Sequence, residues 1–223
     1  MFKRFQPRLC AAEKAAALFC AGLALAGLIP APAVGAQLLA NPGFDDGGGS
    51  LAGWGAFGNA YSEKPAFARS PLGTGKMFGN FSGGFNVTGL YQQFPAAPGQ
   101  SFTLDCYSYI LSSDALTGVG PPNDNWVVMK IAFFDAGNVE IGFAEQRIAD
   151  GTYPQDQWID NPAVVGVAPA GTVKVGAYLL FLQPAFAGGA VYLDDASFVP
   201  EPATLALMAA AGLLLAKRRR PGS

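Results

Sequence analysis

The chain has 223 residues, with 14 basic and 16 acidic side chains, 3 cysteines and no histidine. Without histidine there is no Ser-His-Asp or Cys-His nucleophile system, no imidazole base and no histidine-ligated zinc. The charges are unevenly spread: eight of the bases crowd the two ends, and only Glu13 and Glu201 among the acids fall outside residues 37–199, leaving six bases against 14 acids in between. That acidic excess repels phosphate, so nucleic acid and anionic membrane are excluded as partners of this middle region.

At the amino end, Lys3, Arg4, Arg8 and Lys14 precede an apolar stretch from Ala15 to Ile29. Pro30 and Pro32 then break any helix, and Val34-Gly35-Ala36 supplies the small residues a signal peptidase requires. The pattern predicts a signal helix in a leader of residues 1–36, cut between Ala36 and Gln37, and therefore export. Cys20 follows Leu-Phe rather than a small residue, which argues against a lipoprotein site. Cys10 and Cys20 leave with such a leader, so Cys106 remains alone and no internal disulfide is expected.

Residues 37–199 have the size of one domain. The region opens on Asn41-Pro42-Gly43-Phe44-Asp45 and runs through glycines to Trp54. After it, apolar residues come in short bursts, predicting strands over Phe85–Phe94, Gln100–Leu111, Trp126–Asp135, Val139–Ile148, Gln157–Val167, Thr172–Leu182 and Ala190–Val199. Ala97-Pro98-Gly99, Asp135-Ala136-Gly137-Asn138 and Pro169-Ala170-Gly171 read as turns between them. Strict alternation puts Val127, Met129, Ile131 and Phe133 on one inward face and Val173, Val175, Ala177 and Leu179 on another. Cys106 shares a face with Phe102 and Leu104 and is expected in the core. Many strands and no amphipathic helix predict an all-β fold, an antiparallel two-sheet sandwich.

The order of certain phrases carries a resemblance. Asn41-Pro42-Gly43-Phe44-Asp45 ahead of a tryptophan, Gly89-Leu90-Tyr91-Gln92-Gln93-Phe94 and a closing strand with Asp194-Asp195 together resemble carbohydrate-binding modules of the galactose-binding-like jelly-roll type. The resemblance implies that Asp45, Asp194 and Asp195 hold a structural calcium, although Asp45 stands where that family usually has Glu, and adjacent strand residues point to opposite faces. It also implies aromatic stacking on extracellular polysaccharide. Phe57, Tyr61, Tyr91, Tyr107 and Trp158 are candidates, and Trp54 and Trp126, beside loop sequences, are the residues most expected to be exposed. The scattered acids offer no pair spaced for glycoside hydrolysis, so binding or a structural role is expected rather than catalysis.

The carboxyl end reads Pro200-Glu201-Pro202, an apolar run over 203–216, then Lys217, Arg218, Arg219 and Arg220. A basic cluster after an apolar run stays cytoplasmic and leaves the preceding body outside. The three parts in this order resemble the PEP-CTERM sorting signal of Gram-negative exopolysaccharide producers. That resemblance implies an inner-membrane-anchored intermediate, an exosortase-type partner acting near Pro200-Glu201-Pro202, and delivery to the cell surface or extracellular matrix. The apolar run is short: 14 residues rise about 21 Å against a hydrocarbon core of about 30 Å, so snorkelling arginines and local thinning must close the gap. A permanent anchor without processing is the alternative reading of the same residues.

Overall fold

A computed structural model describes residues 35–117, 125–184 and 186–201. The expected signal helix, the apolar run over 203–216, Pro202 and Lys217, Arg218, Arg219 and Arg220 lie outside the described residues. Among the described residues no helix is long and apolar enough to cross a membrane.

The described chain is an antiparallel two-sheet jelly-roll sandwich, as the sequence pattern predicts. Its strands are β1 (Gly55–Phe57), β2 (Asn59–Glu63), β3 (Thr74–Phe78), β4 (Asn86–Pro95), β5 (Ser101–Tyr109), β6 (Trp126–Phe134), β7 (Glu140–Asp150), β8 (Trp158–Asp160), β9 (Val164–Val167), β10 (Lys174–Gln183) and β11 (Ala190–Pro200). The first sheet has the order β1-β4-β10-β6-β7, and the second has β2-β3-β11-β5-β8, with β9 also paired to β5. Every pairing is antiparallel.

Alternation builds the core. Val127, Met129, Ile131 and Phe133 of β6 are all buried, as are Val175, Ala177 and Leu179 of β10. They meet Phe102, Leu104, Cys106 and Phe198 of the facing sheet, with the Phe102 ring stacked on Phe198 at 5.4 Å and tilted against Phe133 at 6.3 Å. Cys106 is completely buried, and burial pushes its thiol above the usual cysteine range. Val173 departs from its expected inward place: just ahead of β10, its backbone still bonds to Phe134 and Ala96, but its side chain is exposed. All three expected turns form, with Gly99, Asn138 and Gly171 in the left-handed region. The Asp135 carboxylate steadies the second by accepting the Gly137 and Val139 amides, each at 2.9 Å.

Two differences from the expected strands have local causes. The stretch from Gln157 to Val167 forms two strands because Pro162 has no N–H to give to β5. The Asn161 side chain fills the break, donating to the Cys106 carbonyl at 2.8 Å and the Ser108 hydroxyl at 3.0 Å. Strands β1, β2 and β3 are short and rich in glycine and polar residues, so they carry almost no alternation signal.

Asp105 sits half-buried on β5 with its carboxyl held above the usual carboxylate range by burial and by the charge of Asp160. The folded protein therefore binds a proton here more readily than the unfolded chain, so ionisation at neutral pH costs stability and the cost fades as pH falls. Asp105→Asn is expected to raise the melting temperature at pH 7 by about 1–3 °C, with the gain shrinking toward pH 4, as thermal scans across that range will read.

Candidate functional site

The two outer faces of the sandwich are unlike. Much of that of the second sheet is covered by the chain itself, through the connection between β2 and β3, while Tyr61 on edge strand β2 stays 53% exposed beside Phe78 at 5.7 Å. Phe67 from this connection stacks on Tyr109 at 4.2 Å and sets its edge to Tyr192 at 5.0 Å, while the Trp158 indole donates to the Phe67 carbonyl at 2.7 Å. Arg69 lies 3.6 Å above the Tyr107 ring and pairs with Asp195 at 2.8 Å. Tyr107 and Trp158 are thereby committed to packing.

Among the described residues, no such connection covers the outer face of the first sheet. The β10 register aligns Tyr178 with Tyr91 on one side and Lys130 on the other, and the β1 register pairs Gly55 with Tyr91 and Phe57 with Gly89. The result is a row of rings crossing four adjacent strands: Phe57, Tyr91, Tyr178 and Phe134, with centroid steps of 6.2, 5.5 and 6.4 Å. Tyr91 and Tyr178 are nearly parallel, 17° apart. The rings lie low because glycine is beneath them. A Cβ at Gly55 would come within 2.5 Å of the Tyr91 ring, one at Gly89 within 2.4 Å of Phe57, and one at Gly176 within 2.4 Å of Tyr178.

Polar groups edge the row. Gln93 donates to the Tyr178 hydroxyl at 2.7 Å, Lys174 donates to the Asn138 side chain at 2.7 Å, and Lys130 pairs with Glu140 at 2.9 Å. Burial pushes the Tyr178 hydroxyl above its usual range, which keeps it neutral and able to donate. Phe57 is 40% exposed and Phe143, near Lys130, is 58% exposed. Flat rings with hydroxyl, amide, ammonium and carboxylate groups at their margin match the chemistry of a pyranose chain, whose faces are apolar and whose edges are hydroxyls.

Trp126 lies half-buried on this same outer face, beside Phe85 at 6.1 Å and under Arg147 at 5.1 Å. Trp54, expected at an exposed loop, is instead in the core. It is 8% exposed, stacked on Phe44 at 5.2 Å, and its indole donates to the Asn41 carbonyl at 3.0 Å. The loop sequence around it misleads because Phe44 and Trp54 together plug one end of the sandwich. Tyr178 and Phe134 were not among the expected ligand-facing residues, yet the alternation that turns Leu179 and Phe133 inward turns both of them out.

A second concavity, of about 510 Å3, lies at one end of the sandwich and is lined by Asn59, Lys76, Phe78, Asn80, Phe81 and Gln183 among others. The rings of Phe81 and Phe186 approach edge to face at 6.3 Å, both residues in the left-handed region and both exposed.

The structure separates the three aspartates of the expected calcium set. Asp194 is completely buried and its carboxylate accepts four donors: the Arg69 and Ser70 amides at 3.0 and 2.9 Å, the Ser70 hydroxyl at 2.6 Å and the Asp195 amide at 2.8 Å. Burial raises its proton affinity above the usual carboxylate range, and these donors oppose the rise. Asp195 occupies a β-bulge in β11, has φ +46° and turns away to Arg69. Asp45 accepts the Leu72 amide at 2.7 Å. Among the described residues no three His, Cys, Asp or Glu side chains converge as a metal cluster. Oxygens of other kinds do gather: the Ser70 hydroxyl is 2.6 Å from both the Gly43 carbonyl and Asp194. Asp45 Oδ2 and Ser70 Oγ lie 3.3 and 3.0 Å from the Cβ position of Gly43. Asp45, the Gly43 carbonyl and the Ser70 hydroxyl are hard oxygens of the kind calcium takes.

The two sequence ends meet at β11. The Gln37 side chain accepts the Leu39 and Phe198 amides at 3.0 and 2.9 Å and donates to the Ala196 carbonyl at 3.2 Å, while the Leu38 amide donates to the Phe198 carbonyl at 2.9 Å. Pro200 pairs with Phe102, and Glu201 remains bonded to the neighbouring strand.

Residues 198–220 match the PEP-CTERM protein-sorting motif. No curated protein is similar to the chain in sequence. Solved structures of similar fold include a Stig cyclase from Fischerella sp. TAU at 14% identity and TM-score 0.53, covering 76% of this chain and 99% of that one. The arabinose-bound MgGH51 α-L-arabinofuranosidase aligns at 15% identity and TM-score 0.53, over 75% of this chain and 27% of that one. The module TmCBM61, in complex with β-1,4-galactotriose, aligns at 16% identity and TM-score 0.48, over 74% of this chain and 99% of that one. Likeness at these identities establishes the sandwich fold alone.

Asp194 joins β11 to the β2–β3 connection, and its removal strips the Arg69, Ser70 and Asp195 amides of the carboxylate they bond, while the Ser70 hydroxyl keeps the Gly43 carbonyl. Asp194→Ala is expected to cost about 3–5 kcal/mol in urea unfolding, against under about 1 kcal/mol for the exposed pair partner in Asp195→Ala.

Proposed function

We propose that this chain, a jelly-roll sandwich carrying a PEP-CTERM sorting motif at residues 198–220, is an exported bacterial surface or matrix protein whose body binds polysaccharide. The observation that carries the binding reading is the aromatic row over glycine on the outer face of the first sheet. Three glycines whose side-chain space is taken by rings, on a sheet face that no described connection covers, make a surface for a flat, hydroxylated polymer. Nothing in the reading calls for catalysis: the row presents rings and neutral or paired polar groups, which orient a chain without attacking it. A structural matrix protein that binds no sugar, held permanently by its C-terminal segment, is the rival.

In this reading the leader directs export, signal peptidase cuts between Ala36 and Gln37, and the C-terminal run parks the protein in the inner membrane. An exosortase then acts near Pro200-Glu201-Pro202. The motif match supports sorting of this kind.

A glycan array probed with the exported protein tests the binding. Tyr91→Ala and Tyr178→Ala are expected to weaken binding roughly tenfold to hundredfold each, the effect of losing about 1.5–3 kcal/mol of apolar contact. Trp54→Ala is expected to lower stability instead. Binding lost in Phe81→Ala alone would move the site to the end concavity, and no binding by the wild type to any glycan would favour the structural role.

Calcium belongs to the same proposal as a structural element. Asp45, the Gly43 carbonyl and the Ser70 hydroxyl would hold it, with Asp194 orienting Ser70 and Asp195 left to Arg69, and the ion would supply positive charge among these oxygens. Millimolar calcium is expected to raise the melting temperature relative to a chelator, and Asp45→Asn to abolish that rise. Identical melting with calcium and with chelator removes calcium from the account.

A further inference from the structure

The sorting motif does not hang free of the body. β11 runs to Pro200 with no spacer, and pairing with β5 continues to its last residue, Val199 opposite Thr103 and Pro200 opposite Phe102. Beyond the strand the Glu201 amide still donates to the Ser101 carbonyl at 2.8 Å. The Glu201 carboxylate accepts the Thr103 hydroxyl at 2.5 Å, a charge-assisted contact from the side chain of the strand alongside. The other edge of β11 is held just upstream, where Gln37 and Leu38 bond to Ala196 and Phe198. The first two residues of Pro-Glu-Pro are therefore part of the folded sheet.

A processing enzyme binds its substrate as an extended segment, using the backbone and the motif side chains for recognition. Here both are engaged: the Glu201 amide and carboxylate already have partners on β5, and Pro200 has no N–H to offer. We propose that the folded body restrains the processing of its own tail, so that the cut requires local release of residues 199–201 from β5, and that Thr103 is the residue that sets how often this release occurs. The proposal rests on the reading that the tail is processed. The chemistry is a single acyl transfer: the backbone C–N bond near the motif breaks, water or a surface amine bonds to the carbonyl carbon, and the departing amine takes up the proton. Strand ends open far more readily than strand centres, so the restraint is one of rate and does not prevent the cut.

Two variants of the full chain separate this from a motif that is simply recognised. Thr103→Val keeps the shape and β-branching of the side chain but removes the donor to Glu201, and a Gly-Ser-Gly-Ser insertion between Val199 and Pro200 frees the motif while leaving its sequence intact. Each is followed by pulse-chase in cells that carry an exosortase, and by amide hydrogen exchange at Glu201 on the full-length protein in detergent. Both variants are expected to be processed about five- to tenfold faster than the wild type, with Glu201 exchange accelerated by a similar factor. Equal processing rates in all three chains overturn the restraint while leaving the tail a processed one. Processing of none of the three removes both readings, and slower processing of Thr103→Val than of the wild type overturns the restraint by showing that docking aids recognition.

Discussion

The buried carboxylate of Asp194 is the constraint on which the other features depend. It lies where β11 bulges, and its four donors come from the connection between β2 and β3 and from the bulge itself. A carboxylate taken wholly out of water is costly unless each of its lone pairs is met, and here they are met mostly by backbone amides whose positions are then dictated in turn. Arg69 and Ser70 are held by their N–H groups, so Phe67, two residues earlier, is set over Tyr109 and Tyr192. The bulge gives Asp195 its left-handed backbone, which an aspartate tolerates, and so aims its carboxylate at the Arg69 side chain. One ionic group thereby organises the cover of an entire sheet face.

That cover accounts for the asymmetry of the sandwich. Aromatic residues are present on both outer faces, but on the second sheet Tyr107, Tyr109, Trp158 and Tyr192 are engaged by the β2–β3 connection, whereas on the first, among the described residues, the rings meet one another and side chains of their own sheet. Rings standing upright on a sheet pack against neighbours. Rings laid across glycines present a flat face, and the pairing of Gly55 with Tyr91 and of Phe57 with Gly89 makes the two strands trade places as floor and ring. Such pairs also stabilise a strand edge, since each ring shields backbone that glycine leaves bare.

Much of the core was legible because it rests on period-two alternation. β6 and β10 put their predicted stripes inward, and Cys106 follows Phe102 and Leu104 into the interior. The failures have identifiable origins. Val173 obeys the alternation but is exposed at the very start of β10, and periodicity does not reveal where along a strand the core ends. Pro162 divides one expected strand because a single missing donor ends a ladder. Trp54 sits among glycines that suggest a loop surface, yet Asn41 ties that loop inward, donating to the Ser50 and Ala52 carbonyls at 2.8 and 3.0 Å and accepting the Asp46 amide at 2.9 Å. The aromatic row was visible only residue by residue, as Phe57 and Tyr91, because its alignment depends on a register between strands that lie more than eighty residues apart in sequence. Among the aspartates, adjacency of Asp194 and Asp195 foretold opposite orientations, and the bulge carries that further by giving them unrelated partners.

The position of β11 connects the fold to the fate of the chain. It is the last strand before the sorting motif and lies inside its sheet, with β5 along one side and β3 and the segment from Gln37 taking successive parts of the other. It can be completed only when the chain from β3, the chain from β5 and the amino-terminal residues are all in place, so its final residues register whether the rest has folded. A motif joined to an edge strand, or set beyond a flexible linker, would carry no such information. The Gln37 side chain bonds to the strand that leads into Pro200, so residue 37 and the start of the motif are tied to one strand. The entropy lost in ordering Pro200 and Glu201 is offset, among the described residues, by pairing with Phe102 and by the Ser101 and Thr103 contacts, so changes on β5 act directly on the order of the motif.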